Sequence, residues 1–226
     1  MGTPDFAETL TRAADRCGVV VPPAVIAGCA THYALLVKWN ATHNLTRVVD
    51  AEDAALKHYL DCAIPLLQAS RGREGALEAG GAPPVAFADI GAGGGFPGLV
   101  AALVWPTAKA TLVEPARKRQ SFLQVAASAM GLKVSVVGPT VAPAGTSTLT
   151  APLVLSRATF SAGERQTLWP YVAPGGALWA WTTPHELPTW LQESATWPGA
   201  SATERPYLLD GVDRRLLVVK RAISSG

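Results

Sequence analysis

The chain has 226 residues, with 19 Lys and Arg against 17 Asp and Glu, a formal net charge of +2. No broad basic field exists to hold nucleic acid by charge alone. With 49% hydrophobic and 16% charged residues, it can bury a sizeable core and is not a disordered tail. The best apolar run, Val19 to Ala30, is broken by Pro22 and Pro23 and falls short of the roughly 18 residues that cross a bilayer. Asp5 and Glu8 stand where a secretory leader would be basic and then apolar. The 3 cysteines, Cys17, Cys29 and Cys62, form no CxxC and have no histidine at ligand spacing. They predict buried thiols in a reducing cytoplasm, with neither a disulfide framework nor a metal site.

In chain order, residues 1–68 read as a helical extension. Thr3 can cap a first helix with Pro4 at its first position, and Phe6, Leu10, Ala14 and Cys17 recur at helical spacing until Gly18. A second helix starts near Pro23, carries Val25, Ile26, Cys29, Tyr33, Leu36 and Val37 on one stripe, and ends around Asn40. A stretch rich in short polar side chains follows, from Trp39 to Thr46. A third helix begins after Asp50, runs through Leu56, Tyr59, Leu60, Ala63 and Ile64, and is expected to stop at Pro65. Residues 69–84 have a linker's composition. From residue 85 to 226 the pattern changes to a core of short apolar runs alternating with helices. Strands are predicted at Val85–Ile90, Ala110–Glu114, Lys133–Val137, Leu153–Ser156 and Ala177–Trp181, with helices at Gly98–Val104 and Lys118–Met130. This alternation predicts an α/β fold with a mostly parallel sheet covered on both faces. Tyr207–Leu209 and Leu216–Arg221 flank Asp210-Gly211, a hairpin that adds an antiparallel edge.

The most informative stretch is Asp89-Ile90-Gly91-Ala92-Gly93-Gly94-Gly95-Phe96-Pro97-Gly98. A strand ends at Ile90 and a helix begins near Pro97, so the glycines occupy a tight strand-to-helix crossing where backbone can approach a ligand. Glu114 ends the next strand, about 20 residues on, where a nucleoside ribose is usually met by a carboxylate. A nicotinamide dinucleotide and S-adenosylmethionine both fit this pattern; the antiparallel tail favours the methyltransferase arrangement.

Five separated motifs then follow in one order. They are Lys38-Trp39-Asn40 with His43-Asn44-Leu45-Thr46, Lys57-His58-Tyr59-Leu60-Asp61, the glycine loop, Arg117-Lys118-Arg119 with Phe122-Leu123, and Ser156-Arg157-Ala158. Together they resemble the RsmG/GidB family of bacterial 16S ribosomal RNA guanine-N7 methyltransferases. The resemblance implies a class I (Rossmann-like) methyltransferase fold with an N-terminal helical extension and an antiparallel C-terminal hairpin. It also implies S-adenosyl-L-methionine as methyl donor, and 16S rRNA or the 30S particle as partner. Carried over by motif, Gly91, Gly93 and Phe96 would contact the donor and Glu114 its ribose. Val141 and Ala142 would border the adenine, and Arg157 would stand on the donor side. Departures from the family pattern are Thr140 before the adenine-bordering pair, Ala142 in place of an acid, and Trp181-Thr182-Thr183 after the fifth strand. Two RNA-side cations are therefore missing. A small molecule or another RNA is the alternative substrate, and an RNA-binding paralogue without turnover is a further one.

Guanine N7 carries a lone pair and no proton, so its methylation needs alignment rather than a general base. Arg157, at the carboxyl end of the fourth strand, is the candidate catalytic residue, stacking on the base or bonding its O6; an ion-paired arginine is the alternative. Lys118 and Arg119 are candidate phosphate contacts, or a solvated helix face. His58 and Asn44 are candidate RNA contacts, or respectively a locally bonded core histidine and a turn-former. The oligomeric state stays open, with a monomer as the simplest expectation.

Overall fold

The structure, a computed structural model, describes residues 5–70, 83–139, 149–157 and 160–223. Asp5, rather than Thr3, caps α1 (Phe6–Arg16), its side chain accepting from the Ala7 N–H at 3.4 Å. Thr3 and Pro4 lie outside the described residues. Helix α2 (Pro23–His43) has a proline in its first turn, where a missing N–H costs nothing. Helix α3 (Ala51–Ala54) runs into a π-helical stretch (Ala55–Leu60) and on into α4 (Asp61–Ser70).

The expected stop at Pro65 is corrected, because Pro65 lies inside α4. A proline there removes the N–H that would have bonded the Asp61 carbonyl. That carbonyl instead accepts from Trp181 Nε1 at 2.8 Å and from the Tyr207 hydroxyl at 3.3 Å. The helix continues because the sheet supplies the lost hydrogen bonds. It also takes in Ala69 and Ser70 from the predicted linker, of which residues 71–82 fall outside the described chain.

Seven strands follow: β1 (Ala86–Ile90), β2 (Lys109–Val113), β3 (Val134–Val137), β4 (Ala151–Arg157), β5 (Val172–Thr182), β6 (Ala200–Leu209) and β7 (Val212–Arg221). They lie in the order β3-β2-β1-β4-β5-β7-β6. The first five are parallel, and β7 inserts antiparallel between β5 and β6. Asp210 and Gly211 both have positive φ, as a two-residue hairpin turn of right-handed twist needs. Helices α5 (Gly98–Val104) and α6 (Arg117–Ala129) cross between the first strands. A 3₁₀ helix (Arg165–Tyr171) precedes β5 and α7 (Leu187–Ser194) follows it.

Alternation along the strands divides the interior in two. Leu153, Leu155, Trp179, Trp181, Leu216 and Val218 face a core shared with the helical extension, α5 and α6. Val154, Leu178, Ala180, Leu217 and Val219 face a second core, closed by the 3₁₀ helix and α7. The helical extension is thus packed into the sheet's own core.

Candidate functional site

Strand order reverses at β1, whose neighbours are β2 and β4, and open α/β sheets hold ligands outside the carboxyl ends at such a point. A cavity of about 320 Å³ opens there. Gly91, Gly93, Phe96, Glu114, Arg119 and Arg157 line it, and Leu45, Thr46 and His58 close it from the helical extension. The glycine loop is tied to β2, with the Gly91 and Ala92 N–H groups donating to the Val113 carbonyl at 2.8 and 3.1 Å. Gly93 has φ +53°, a conformation side chains rarely adopt, and its N–H donates to Glu114 Oε2 at 2.9 Å. Ala116 N–H donates to Glu114 Oε1, also at 2.9 Å. Glu114 is 2% exposed, and Arg119 Nη1 stands 4.0 Å from Oε1. Two bonds leave about half of a carboxylate's four acceptor sites for a ligand.

Beneath the loop, Asp89 joins β1 to α5, its Oδ2 accepting from Gly98 N–H at 2.8 Å. Only glycine fits at 98, since a Cβ there would stand 2.4 Å from Leu112 Cδ2 and 2.5 Å from Asp89 Oδ2. Complete burial pushes the Asp89 carboxyl up to about 7.

The π-helical stretch turns His58 toward the loop, where its ring stacks on Phe96 at 4.7 Å and Nε2 shares a hydrogen bond with the Thr46 hydroxyl at 2.8 Å. Burial, and then the Arg157 charge, lower its imidazole to about 4, so it is neutral near pH 7. Behind it, His32 pairs with the Tyr59 hydroxyl at 2.8 Å and meets Phe96 edge-on; burial lowers it to about 4 as well.

Arg157 is brought to the cavity wall already engaged. Its Nε donates to Asp61 Oδ2 at 3.0 Å, and Nη2 donates to the Lys57 carbonyl. Asp61, with no exposure, also accepts from Arg214 Nε and Nη2 at 3.0 and 3.1 Å and from the Tyr207 hydroxyl at 2.8 Å. Burial works against ionisation, but Arg214 and Arg157 outweigh it and hold the Asp61 carboxyl below its ordinary range. The guanidinium therefore occupies a fixed, neutralised position, as in the ion-paired alternative. On its other side lies a second cavity of about 410 Å³, lined among others by Asp61, Ser156, Trp181, Thr182 and Arg214.

Lys118 is exposed at the start of α6, one residue before the cavity-lining Arg119. Asn44 is exposed as the left-handed C-cap of α2 (φ +46°), and the loop after it delivers Leu45 and Thr46 to the cavity. Thr140, Val141 and Ala142 lie outside the described residues. Nothing in the sequence marks Arg214 as Asp61's partner, because 153 residues separate them and only the register of the hairpin joins them.

The family model described as rRNA small subunit methyltransferase G matches residues 26–196. The chain belongs to that family. "Ribosomal RNA small subunit methyltransferase G" of Solibacter usitatus (strain Ellin6076) is 39% identical over 145 residues, 62% of this chain and 63% of the relative. The protein of the same name from Streptococcus pyogenes serotype M12 (strain MGAS2096) is 37% identical over 103 residues, 46% of this chain and 40% of the relative. The match thus spans less than two thirds of either curated relative. Among solved structures, cofactor-bound Rv0187 from MTB aligns over 99% of this chain and 100% of its own, with a TM-score of 0.59 at 16% identity. The O-methyltransferase TomG from Streptomyces achromogenes, solved in complex with SAM, aligns over 97% and 100%, with a TM-score of 0.55 at 11% identity. At such identities the likeness is one of fold. This member of the methyltransferase G family has the class I, Rossmann-like architecture: a mostly parallel sheet closed by an antiparallel hairpin.

Proposed function

We propose that the chain transfers the methyl group of S-adenosylmethionine to N7 of a guanine in 16S rRNA, as RNA or within the small ribosomal subunit. The observation that carries this reading is Glu114, a buried carboxylate with spare acceptor capacity, set in the glycine-loop cavity at the carboxyl ends of β1 and β2. Its free acceptor sites suit a pair of adjacent ribose hydroxyls. Gly91, Gly93 and Phe96 form the wall against the rest of the donor, and Val141 and Ala142 are assigned to the adenine border by motif alone. The bound donor supplies an electrophilic methyl on a sulfonium. Two of the wall's ionisable side chains add no net positive charge beside that cation: His58 is neutral, and Asp61 offsets Arg157.

N7 attacks without losing a proton, so the protein's work is to hold two reactants in line, which is worth about 7–11 kcal/mol in favourable cases. Arg157, fixed by Asp61, stands where both cavities meet and positions the base from there. Lys118 and Arg119 suit phosphate contacts beside the donor mouth. The place of His58 in the donor cavity's wall favours a donor-side role over an RNA contact. Acting on ribosomal RNA would place the protein in the cytoplasm; among the described residues, no helix is long and apolar enough to cross a membrane.

The test is incubation with methyl-labelled donor and 30S particles, naked 16S rRNA or a metabolite extract, followed by nucleoside analysis. N7-methylguanosine in 16S rRNA is the expected product. Label in a small molecule alone would replace the substrate, a reading motivated by Thr140 in the sequence and by the neutral Thr182 in the second cavity. No heat on titration with S-adenosylhomocysteine would reject the donor.

A further inference from the structure

The second cavity shares a wall with the proposed donor cavity. Arg157 lines both, with the donor cavity at the ends of β1 and β2 and the second at the ends of β4 and β5. We propose that the second cavity receives the target guanine, and that Glu186 and Arg165 read the edge of the base that faces away from the donor. This inference rests on the methyl-transfer reading above.

The walls suit a flat base taken out of its stack. Trp181, Trp190 and Phe160 line the cavity, which at about 410 Å³ lies within the range of small-ligand sites. Trp181 is pinned by its bond to the Asp61 carbonyl, and Trp190 carries the Arg165 guanidinium over its face at 4.3 Å. Both tryptophans are more than nine-tenths buried, so they hold the wall rigid, and the half-buried Phe160 ring is the surface on which a nucleobase can stack.

The polar groups give the direction. If N7 faces the donor, the base's N1–H and N2–H₂ lie on the opposite edge. Just after the end of β5 stands Glu186, an exposed carboxylate that lines the second cavity and not the donor cavity. It receives a hydrogen bond from the Thr182 hydroxyl at 3.4 Å. A carboxylate accepts from two parallel donors, and N1–H and N2–H₂ are such a pair. The neighbouring O6 needs a donor. Arg165 lines the same cavity at 5% exposure; its Nη1 donates to Glu193 Oε2 at 3.4 Å, and its Nε has no hydrogen-bond partner among the described residues. A buried unpaired donor is costly, and a carbonyl oxygen would satisfy it. Asp61, the cavity's other carboxylate, already accepts from Arg157, Arg214 and Tyr207. Adenine inverts the pattern: its amino group would meet Arg165 and its unprotonated N1 would meet Glu186.

Glu186→Gln tests the assignment in full-length protein with 30S particles. Glu186 is exposed and outside the donor cavity, so the variant should keep its melting temperature and its affinity for S-adenosylhomocysteine. Its kcat/KM for methyl transfer should fall roughly 10- to 100-fold, as loss of hydrogen bonds to a charged group implies. In small subunits reconstituted with inosine at the methylated position, which lacks the 2-amino group, the wild type should slow while the variant shows no further loss. A variant as fast as wild type, or an inosine penalty that is absent in the wild type or equal in both proteins, overturns the role of Glu186. If the wild type binds S-adenosylhomocysteine yet transfers nothing to 30S particles, the methyl-transfer reading itself fails and takes this inference with it.

Discussion

At Glu114 one carboxylate serves the protein and, by the proposed reading, a ligand at once. Alanine at 114 would leave the Gly93 and Ala116 N–H groups without their acceptor, at about 1–3 kcal/mol each where water cannot replace it, and would remove both ribose acceptors. Glu114→Ala should therefore weaken S-adenosylhomocysteine binding by at least roughly 10-fold in calorimetry, with far-ultraviolet circular dichroism unchanged. Glutamine at 114 can still accept, but it also presents an amide to a backbone N–H, so it should fall between the two. Unaltered affinity in the alanine variant would remove Glu114 from the donor site. The loop and this acid were legible in the sequence because their chemistry is local: a tight crossing needs glycine, and the carboxylate ends the adjacent strand. Arg157 was legible as a residue at a strand end, with an ion pair as the alternative, but its partner was not, because Asp61 lies 96 residues away. Asn44 fits its turn-forming alternative, since the amide side chain tolerates the left-handed backbone that turns the chain toward Leu45 and Thr46.

Between the π-helical stretch and α4, Asp61 fastens the helical extension to β4, β6 and β7 through Arg157, Tyr207 and Arg214. Asp61→Ala strands two guanidinium groups, one of them largely buried, and should cost about 3–5 kcal/mol in urea denaturation, towards the lower end because Arg214 keeps contact with solvent. The same segments make stability depend on pH. His58 is lowered to about 4 in the folded protein, against about 6.5 unfolded. As pH falls below about 6.5 the unfolded chain takes the proton first, so this contribution, complete above 6.5, is lost progressively down to about 4. Asp89, raised to about 7, acts in the opposite sense: its contribution is complete below the unfolded value near 4 and is lost as pH rises to 7. The difference between wild type and His58→Asn isolates the histidine. Near pH 5 to 5.5 the variant's unfolding free energy should rise with pH less steeply, by about 1.2 kcal/mol per pH unit. Equal slopes would place the folded imidazole near its ordinary value. Helices α2, α5 and α6, apolar runs bounded by turn residues or charges, and the inner strands matched their expected bounds within a few residues. Helix α7 and the 3₁₀ helix were not expected: each contains a proline, Pro188 or Pro170, and they are held by packing Leu187, Trp190, Leu168 and Trp169 into the second core. Pro65 misled because the groups that replace its missing bond, Trp181 and Tyr207, belong to strands far along the chain.

Across the whole molecule a net charge of +2 leaves little positive field, and several cations are already paired at the surface. Arg16 binds Glu52 and Asp210, Lys57 binds Asp53, and Arg215 binds Asp213 and Glu204. Among the described residues, Lys57 beside His58 is paired with Asp53, while Arg47 after Thr46 and Arg117 to Arg119 at the start of α6 are exposed cations at or next to the donor cavity's lining. Cations at a helix start oppose its dipole, at a few tenths of a kcal/mol, so helix stability does not account for them. On the proposed reading they meet phosphates that flank the extruded base. Each phosphate neutralised by the protein steepens the fall of affinity with salt by a little under one unit of log K per unit of log salt. Lys118→Ala should therefore weaken RNA binding uniformly across sequences and reduce that slope by about 1, without changing which nucleotide is methylated. Binding across a salt series, with nucleoside analysis of the product, reads both effects, and an unchanged slope would take Lys118 out of the interface. Because so few phosphates can be gripped, the folded shape of the RNA must supply most of the positioning. The assembled small subunit should accordingly be methylated faster than deproteinised 16S rRNA, and the advantage should widen as salt removes the electrostatic share of both.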